Sequence, residues 1–317
     1  MSNNFNPFRK TANAFPLAIA LRNMAFDPLF YDVAELTPQE CWQIAEDCAS
    51  GRCEEGGILL MHPQQGHEYY STSNALCMDW PELDAVAVAG VGSSPLGTAA
   101  LARQVANIID KPVAGVIASY GLCDVVAEGL GGWFDFGMRN RVLSALDYWR
   151  SCSGMVTPAE VEGNRKIWNV LSTVGSVDEE DVNTVVNIML RQNDKLQLLV
   201  GHSKGAMVLQ RACDYFLDEE QRLLPVDQHN KLGPKLRVAT FGCGVSLPER
   251  FSDATQFVGS WDVLGGLNTP WTLSAADPQL NWVPARLHDL VKANPLHMPI
   301  EDKLPRGHQA VSPALYP

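Results

Sequence analysis

One window constrains this 317-residue chain more than any other. Leu196-Gln197-Leu198-Leu199-Val200, a short strand pattern, runs straight into Gly201-His202-Ser203-Lys204-Gly205-Ala206, and a helical pattern over 204–216 leaves it. A strand that reverses into a helix within five residues must pack closely against it, and glycines at 201 and 205 permit that approach. The same alternation recurs on either side. Ala85-Val86-Ala87-Val88-Ala89 and the run 112–119 are nearly continuous apolar segments, as expected of strands buried on both faces of a parallel sheet. Helical patterns cover roughly 98–109 and 181–190, and two more strand patterns cover 236–241 and 254–258. Strands alternating with helices predict an α/β fold with a mostly parallel central sheet, flanked by helices through right-handed crossovers.

The alternation divides the chain. Residues 1–36 read as a lead-in segment. Thr37-Pro38-Gln39-Glu40 opens a helix to about 50, with a capping threonine, a proline at the first helical position and an acid in the first turn. Segments 57–62 and 67–72 read as a β-hairpin. Residues 37–120 form the first part of the core and 176–317 the second. Between them, 121–175 is too long for a simple connection and reads as an inserted helical cap. Near its start stand Trp133, Phe134 and Phe136, flanked by glycines.

The net charge of −12 leaves no basic surface to neutralise phosphates, which argues against nucleic acid as a partner. The eight cysteines form neither a CxxC pair nor a zinc-ligand spacing, and read as mostly buried, reduced thiols. The apolar run 15–21 stops at Arg22, short of a secretory signal, and no stretch approaches the roughly 18 apolar residues of a membrane span. These features predict a cytoplasmic protein without stable membrane insertion. The sparse charge of 121–175 is compatible with a homo-oligomer.

Gly201-His202-Ser203-Lys204-Gly205 matches G-x-S-x-G. That pattern carries chemistry only when a strand enters it and a helix leaves it, because the turn then lifts the serine hydroxyl above the sheet edge. The helix N-terminus beneath favours developing negative charge. The backbone N–H of Lys204 points where an oxyanion would form. Here the chain resembles the α/β-hydrolase superfamily, and 200–206 is similar to the elbow of its lipases and esterases. Thr240-Phe241-Gly242 is similar to the strand that follows the elbow in class 3 lipases, whereas Lys204 replaces the leucine or glutamine usual there.

The resemblance implies a triad in the order serine, acid, histidine. Asp262 ends the strand pattern 254–258 and is the favoured acid. Asp277, in a Ser-Ala-Ala-Asp-Pro turn, is the reserve, and Asp253 precedes that strand at its wrong end. Three histidines compete for the base. His308, in Arg306-Gly307-His308, looks like the Gly-His loop near the C-terminus of many α/β-hydrolases and ranks first. His297, in an irregular loop, ranks second. His288, within the helical-looking 286–290, ranks third. The loop 89–94 would supply the second oxyanion donor through the backbone of Val91 or Gly92. A dinucleotide fingerprint fails there, because Pro95 stands where the last glycine of G-x-G-x-x-G belongs.

The expected function is therefore a serine esterase or lipase acting on a small-molecule or lipid-like ester through an acyl-enzyme on Ser203. It needs no cofactor and no metal. Trp133, Phe134 and Phe136 are the candidate substrate-binding residues, as a lid over an acyl pocket. An acyltransferase with the same residues, and a non-catalytic binding protein on the same scaffold, are the competing classes.

Overall fold

The apolar runs assemble into one sheet. A computed structural model describes residues 24, 27–90, 93–118, 180–232, 235–269, 273 and 278–306. Eight strands form in it: β1 (Ile58–Met61), β2 (His67–Tyr70), β3 (Ala85–Val88), β4 (Val113–Val116), β5 (Leu198–His202), β6 (Arg237–Phe241), β7 (Ala254–Gly259) and β8 (Leu280–Val283). They lie in the order β2-β1-β4-β3-β5-β6-β7-β8. β1 is antiparallel to β2 and to β4, and every other neighbouring pair is parallel. The register runs Val88 to Gly201 to Thr240 to Gln256 to Leu280 across five strands. Loops leaving β3, β5, β6, β7 and β8 therefore emerge along one edge of the sheet.

Helices accompany the strands, among the described residues α1 (Pro38–Ala49), α2 (Ser73–Asp79), α3 (Pro95–Ile109), α4 (Glu180–Arg191), α5 (Lys204–Leu223) and α6 (Val263–Asn268). Alternate strand residues face opposite layers, which splits the core in two. Leu59, Met61, Ala87, Val200 and Phe241 pack with α1, α3 and the later residues Leu290, Met298 and Ile300. Leu60, Val86, Val88, Leu199 and Val238 pack with α2, α4 and α5. Small residues on α3 let it lie close to the sheet. A Cβ built on Gly115 of β4 would stand 3.0 Å from both Ala102 Cβ and Thr98 Cγ2.

A buried charge pins α1, α3 and the hairpin together. Arg103 on α3 is wholly buried and donates to Glu40 Oε1 at 2.6 Å, to the Gln64 carbonyl at 2.7 Å and to the Gly66 carbonyl at 3.0 Å. Glu40 also accepts the Gly66 N–H at 2.7 Å and closes a capping box with Thr37. Although burial alone would push the Glu40 carboxyl up, the hydrogen bonds from Arg103 and Thr37 hold it down at about 2.

The predicted strands, the hairpin and the long helices all form, with ends shifted by a few residues. α3 starts at Pro95 because Ser94 caps it, and α5 runs on to Leu223. Three elements have no counterpart in the sequence reading: α2, α6 and the edge strand β8. Conversely, 286–290 is not helical. The stretch 121–175, with Trp133, Phe134 and Phe136, lies outside the described residues. Among the described residues no helix is long and apolar enough to cross a membrane.

Candidate functional site

The turn after β5 is built by steric necessity. Ser203 has φ 53° and ψ −122°, a backbone conformation that costs a non-glycine residue energy and persists only where its surroundings enforce it. Its N–H donates to the Phe241 carbonyl at 2.8 Å, which fixes the turn to β6. A Cβ on Gly205 would stand 2.0 Å from the Val88 carbonyl oxygen, and one on Gly201 would stand 2.7 Å from Ala206 Cα. Both glycines of the motif are thus required by close backbone approach, one to β3 and one within the turn itself. Lys204 is the first residue of α5, where N–H groups point out of the helix end and not into its ladder.

Two strands further along the sheet, β7 ends at Gly259 and the chain turns through Asp262 into α6. The Asp262 side chain is buried, and each of its oxygens has a partner. Oδ1 accepts the Gly265 N–H at 2.7 Å, which makes Asp262 the cap of α6. Oδ2 lies 2.8 Å from Nδ1 of His288. Gly265 leaves room for this arrangement, since a Cβ there would come within 2.4 Å of Oδ2. His288 is itself buried, in the irregular chain that follows β8. Its ring lies over the backbone after β6: a Cβ on Gly242 would be 2.7 Å from His288 Cε1. Gly242 directly follows Phe241, the acceptor of the Ser203 N–H. The serine and the acid–imidazole pair therefore converge on the end of β6.

A second imidazole lies beside His288. His202, next to the serine, is buried, with its ring centroid 4.7 Å from that of His288. Burial, assisted by the charge that His288 can carry, pushes His202 down to about 3, so it is neutral across the ordinary pH range. Its Nε2 lies 2.8 Å from the His288 carbonyl oxygen, and its Nδ1 lies 3.0 Å from the Tyr31 hydroxyl. A carbonyl can only accept, so Nε2 carries the proton and Nδ1 accepts the Tyr31 O–H. The Tyr31 oxygen in turn accepts the Gly90 N–H at 2.7 Å. Gly90, in the loop after β3, lies against the serine, with a virtual Cβ 2.8 Å from Ser203 Cβ.

Below that loop, Ser94 and α3 are capped from outside. Asp27 accepts the N–H of Ser94 at 3.1 Å, the N–H of Gly97 at 3.0 Å and the Ser94 hydroxyl. Burial outweighs these hydrogen bonds and raises the Asp27 carboxyl to about 7.

Of the residues expected from sequence, Ser203, Lys204 and Asp262 stand at this edge of the sheet. Val91 and Gly92, together with Trp133, Phe134, Phe136, Asp277 and His308, lie outside the described residues. His297 is engaged elsewhere, with Nδ1 at 2.6 Å from the Asn294 carbonyl and Nε2 at 3.0 Å from Glu301. The histidine that meets Asp262 is His288. Its helical-looking neighbours Leu287 and Leu290 are spaced as on one helix face, yet their N–H groups go to the distant carbonyls of Leu296 and Phe30. Tyr31 and His202 were not singled out by sequence reading. For His288 the signal is its place after β8, a strand whose exposed Asn281 and Trp282 hide it in the sequence. For Tyr31, 171 residues from its partner His202, there was none.

Among the described residues no group of three or more His, Cys, Asp or Glu side chains could hold a metal ion. Compared with known protein families, curated proteins and solved structures, the chain matches none of them.

Proposed function

We propose that this protein is a serine hydrolase of the α/β-hydrolase type that cleaves carboxylic esters, with Ser203 as nucleophile, His288 as base and Asp262 as the acid that orients it. The observation that carries the reading is the buried Asp262 Oδ2 to His288 Nδ1 contact of 2.8 Å, made beside a serine in an enforced turn. The three residues follow β5, β7 and β8, in the chain order serine, acid, histidine.

The roles follow from which nitrogen is occupied. Asp262 accepts a hydrogen bond from the Nδ1–H of His288, so Nε2 is the nitrogen that accepts the Ser203 proton. The serine oxygen attacks the ester carbonyl, the tetrahedral oxyanion draws on the Lys204 N–H, and His288 returns the proton to the leaving alcohol. Water, activated by the same imidazole, then releases the acid and regenerates the serine. The second oxyanion donor falls beyond Gly90 in the loop after β3, because the Gly90 N–H already serves Tyr31. Val91 and Gly92 remain the candidates, and Trp133, Phe134 and Phe136 remain the candidate acyl-pocket residues.

Fluorophosphonate labelling followed by intact mass tests this reading. The wild type is expected to gain one adduct, Ser203→Ala none, and His288→Ala one only at a strongly reduced rate. Fast labelling of His288→Ala with slow labelling of His308→Ala would keep the hydrolase and move the base. A folded wild type that takes no probe would overturn the proposal.

A further inference from the structure

The hydrogen bonds around His202 run in one direction through a buried path: Gly90 N–H to the Tyr31 oxygen, Tyr31 O–H to His202 Nδ1, and His202 Nε2–H to the His288 carbonyl. The path starts on the loop after β3 and ends on the backbone of the residue that pairs with Asp262. Its first end lies against Ser203, which follows His202 directly. We propose that Tyr31 and His202 are positioning residues, which hold the oxyanion loop and the base-bearing segment in fixed register across the serine. This inference rests on the hydrolase reading of the site.

Polarity makes the tether more than packing. Each group in it has one role open to it. The Gly90 N–H can only donate and the His288 carbonyl can only accept, so the tyrosine and the imidazole between them must each accept on one side and donate on the other. The His288 carbonyl therefore fixes the His202 tautomer, and Tyr31 supplies the donor that the bare Nδ1 then needs. The rings reinforce the order, with Tyr31 edge-on to His202 at 5.3 Å and Phe30 edge-on to His288 at 6.1 Å. Removing the tyrosine hydroxyl leaves the Gly90 N–H without its acceptor in a buried place and lets the loop drift. Catalytic rate is sensitive to such drift: a misplacement of about 1 Å can cost on the order of 100-fold. Ground-state binding of an ester does not depend on the same alignment, so the loss is expected in kcat and not in KM.

Two measurements on the full chain test the proposal together. In the first, Tyr31→Phe and His202→Phe are compared with wild type for kcat and KM on a p-nitrophenyl ester, with thermal unfolding as the control for folding. Tyr31→Phe is expected to lower kcat on the order of 10- to 100-fold with KM within about twofold. In the second, 15N-histidine spectra of the wild type are followed from pH 5 to 9. His202 is expected to hold the Nε2–H tautomer throughout without titrating, and its Nδ1 resonance is expected to shift in Tyr31→Phe, where that nitrogen loses its donor. Variants that fold and turn over at the wild-type rate would overturn the proposal while the hydrolase stands. A His202 that titrates near 6.5, or carries its proton on Nδ1, would overturn the tether itself. A wild type with no turnover but a locked His202 would remove the hydrolase reading, and the catalytic purpose of the tether with it.

Discussion

Asp262 holds His288 through one carboxylate oxygen while its other oxygen caps the helix that follows, at 2.8 and 2.7 Å. The two bonds leave the carboxylate one orientation. An amide in its place would turn an N–H toward one of two donors, either the Gly265 N–H or the imidazole Nδ1–H. Asp262→Asn is expected to keep the fold, because the cap can survive on the amide oxygen. It is expected to reduce kcat about 10³- to 10⁴-fold by favouring the wrong imidazole tautomer. Steady-state kinetics alongside a melting curve check this, and a loss under tenfold would argue against an orienting role.

Gly205 meets the Val88 carbonyl with no room for a methyl group. Gly205→Ala is expected to destabilise the protein by about 3 kcal/mol or more, because the new Cβ pushes on backbone and not on a pliable side chain. Equilibrium urea unfolding measures the cost. The same substitution is expected to slow fluorophosphonate labelling, since moving β3 away from the turn moves the loop that faces the serine.

Asp27 gives the fold a pH dependence of unusual sign. Its carboxyl rises from an ordinary 3.8 to about 7 on burial, so the folded protein binds this proton more tightly than the unfolded chain. The resulting stabilisation is fully present below about pH 4 and is lost as pH climbs toward 7, over a span of about 4 kcal/mol. Asp27→Asn retains an oxygen for the Ser94 and Gly97 N–H groups and carries no charge. Its unfolding free energy is expected to vary less between pH 4 and 7 than that of wild type. Equal slopes in urea titrations across that range would count against the assignment.

Arg103 is expected to be intolerant alone and replaceable in company. Arg103→Ala strands Glu40 in a buried place and is expected to cost about 3–5 kcal/mol. Arg103→Met with Glu40→Leu removes both charges and is expected to recover a large part of that loss, although the Gln64 and Gly66 carbonyls still lose their donor. If the double variant is no more stable than the single, hydrogen bonding to those carbonyls outweighs the ion pair.

What the sequence reveals is what short-range pattern controls. β3, β4 and β5 are apolar on both faces, and the turn at 201–205 has its glycines where strand and helix collide, so each could be read within a dozen residues. Asp262 could be found from the end of its strand. β8 escaped because an edge strand of four residues, with Asn281 and Trp282 exposed, lacks the apolar signature of its buried neighbours. The stretch 286–290 reads as helical because Leu287 and Leu290 are spaced like one face of a helix, and the structure shows it irregular. Their backbone N–H groups instead bond to the carbonyls of Leu296 and Phe30. The links from Tyr31 to Gly90 and His202 have no local trace, since only the closed sheet brings these residues together.

The short stretch from Asp27 to Tyr31 has consequences for the order in which the molecule is made. Synthesised early, it completes its bonds only with residues made later: Ser94 and Gly97, then His202, and finally Leu290, whose N–H reaches the Phe30 carbonyl. A nascent chain can pair β3, β4 and β5 long before that last bond is possible. The protein would then exist for a time as a formed sheet in which Leu290 has not yet bonded to Phe30. Without this stretch the finished molecule would lack every one of these bonds, from Ser94 to Leu290.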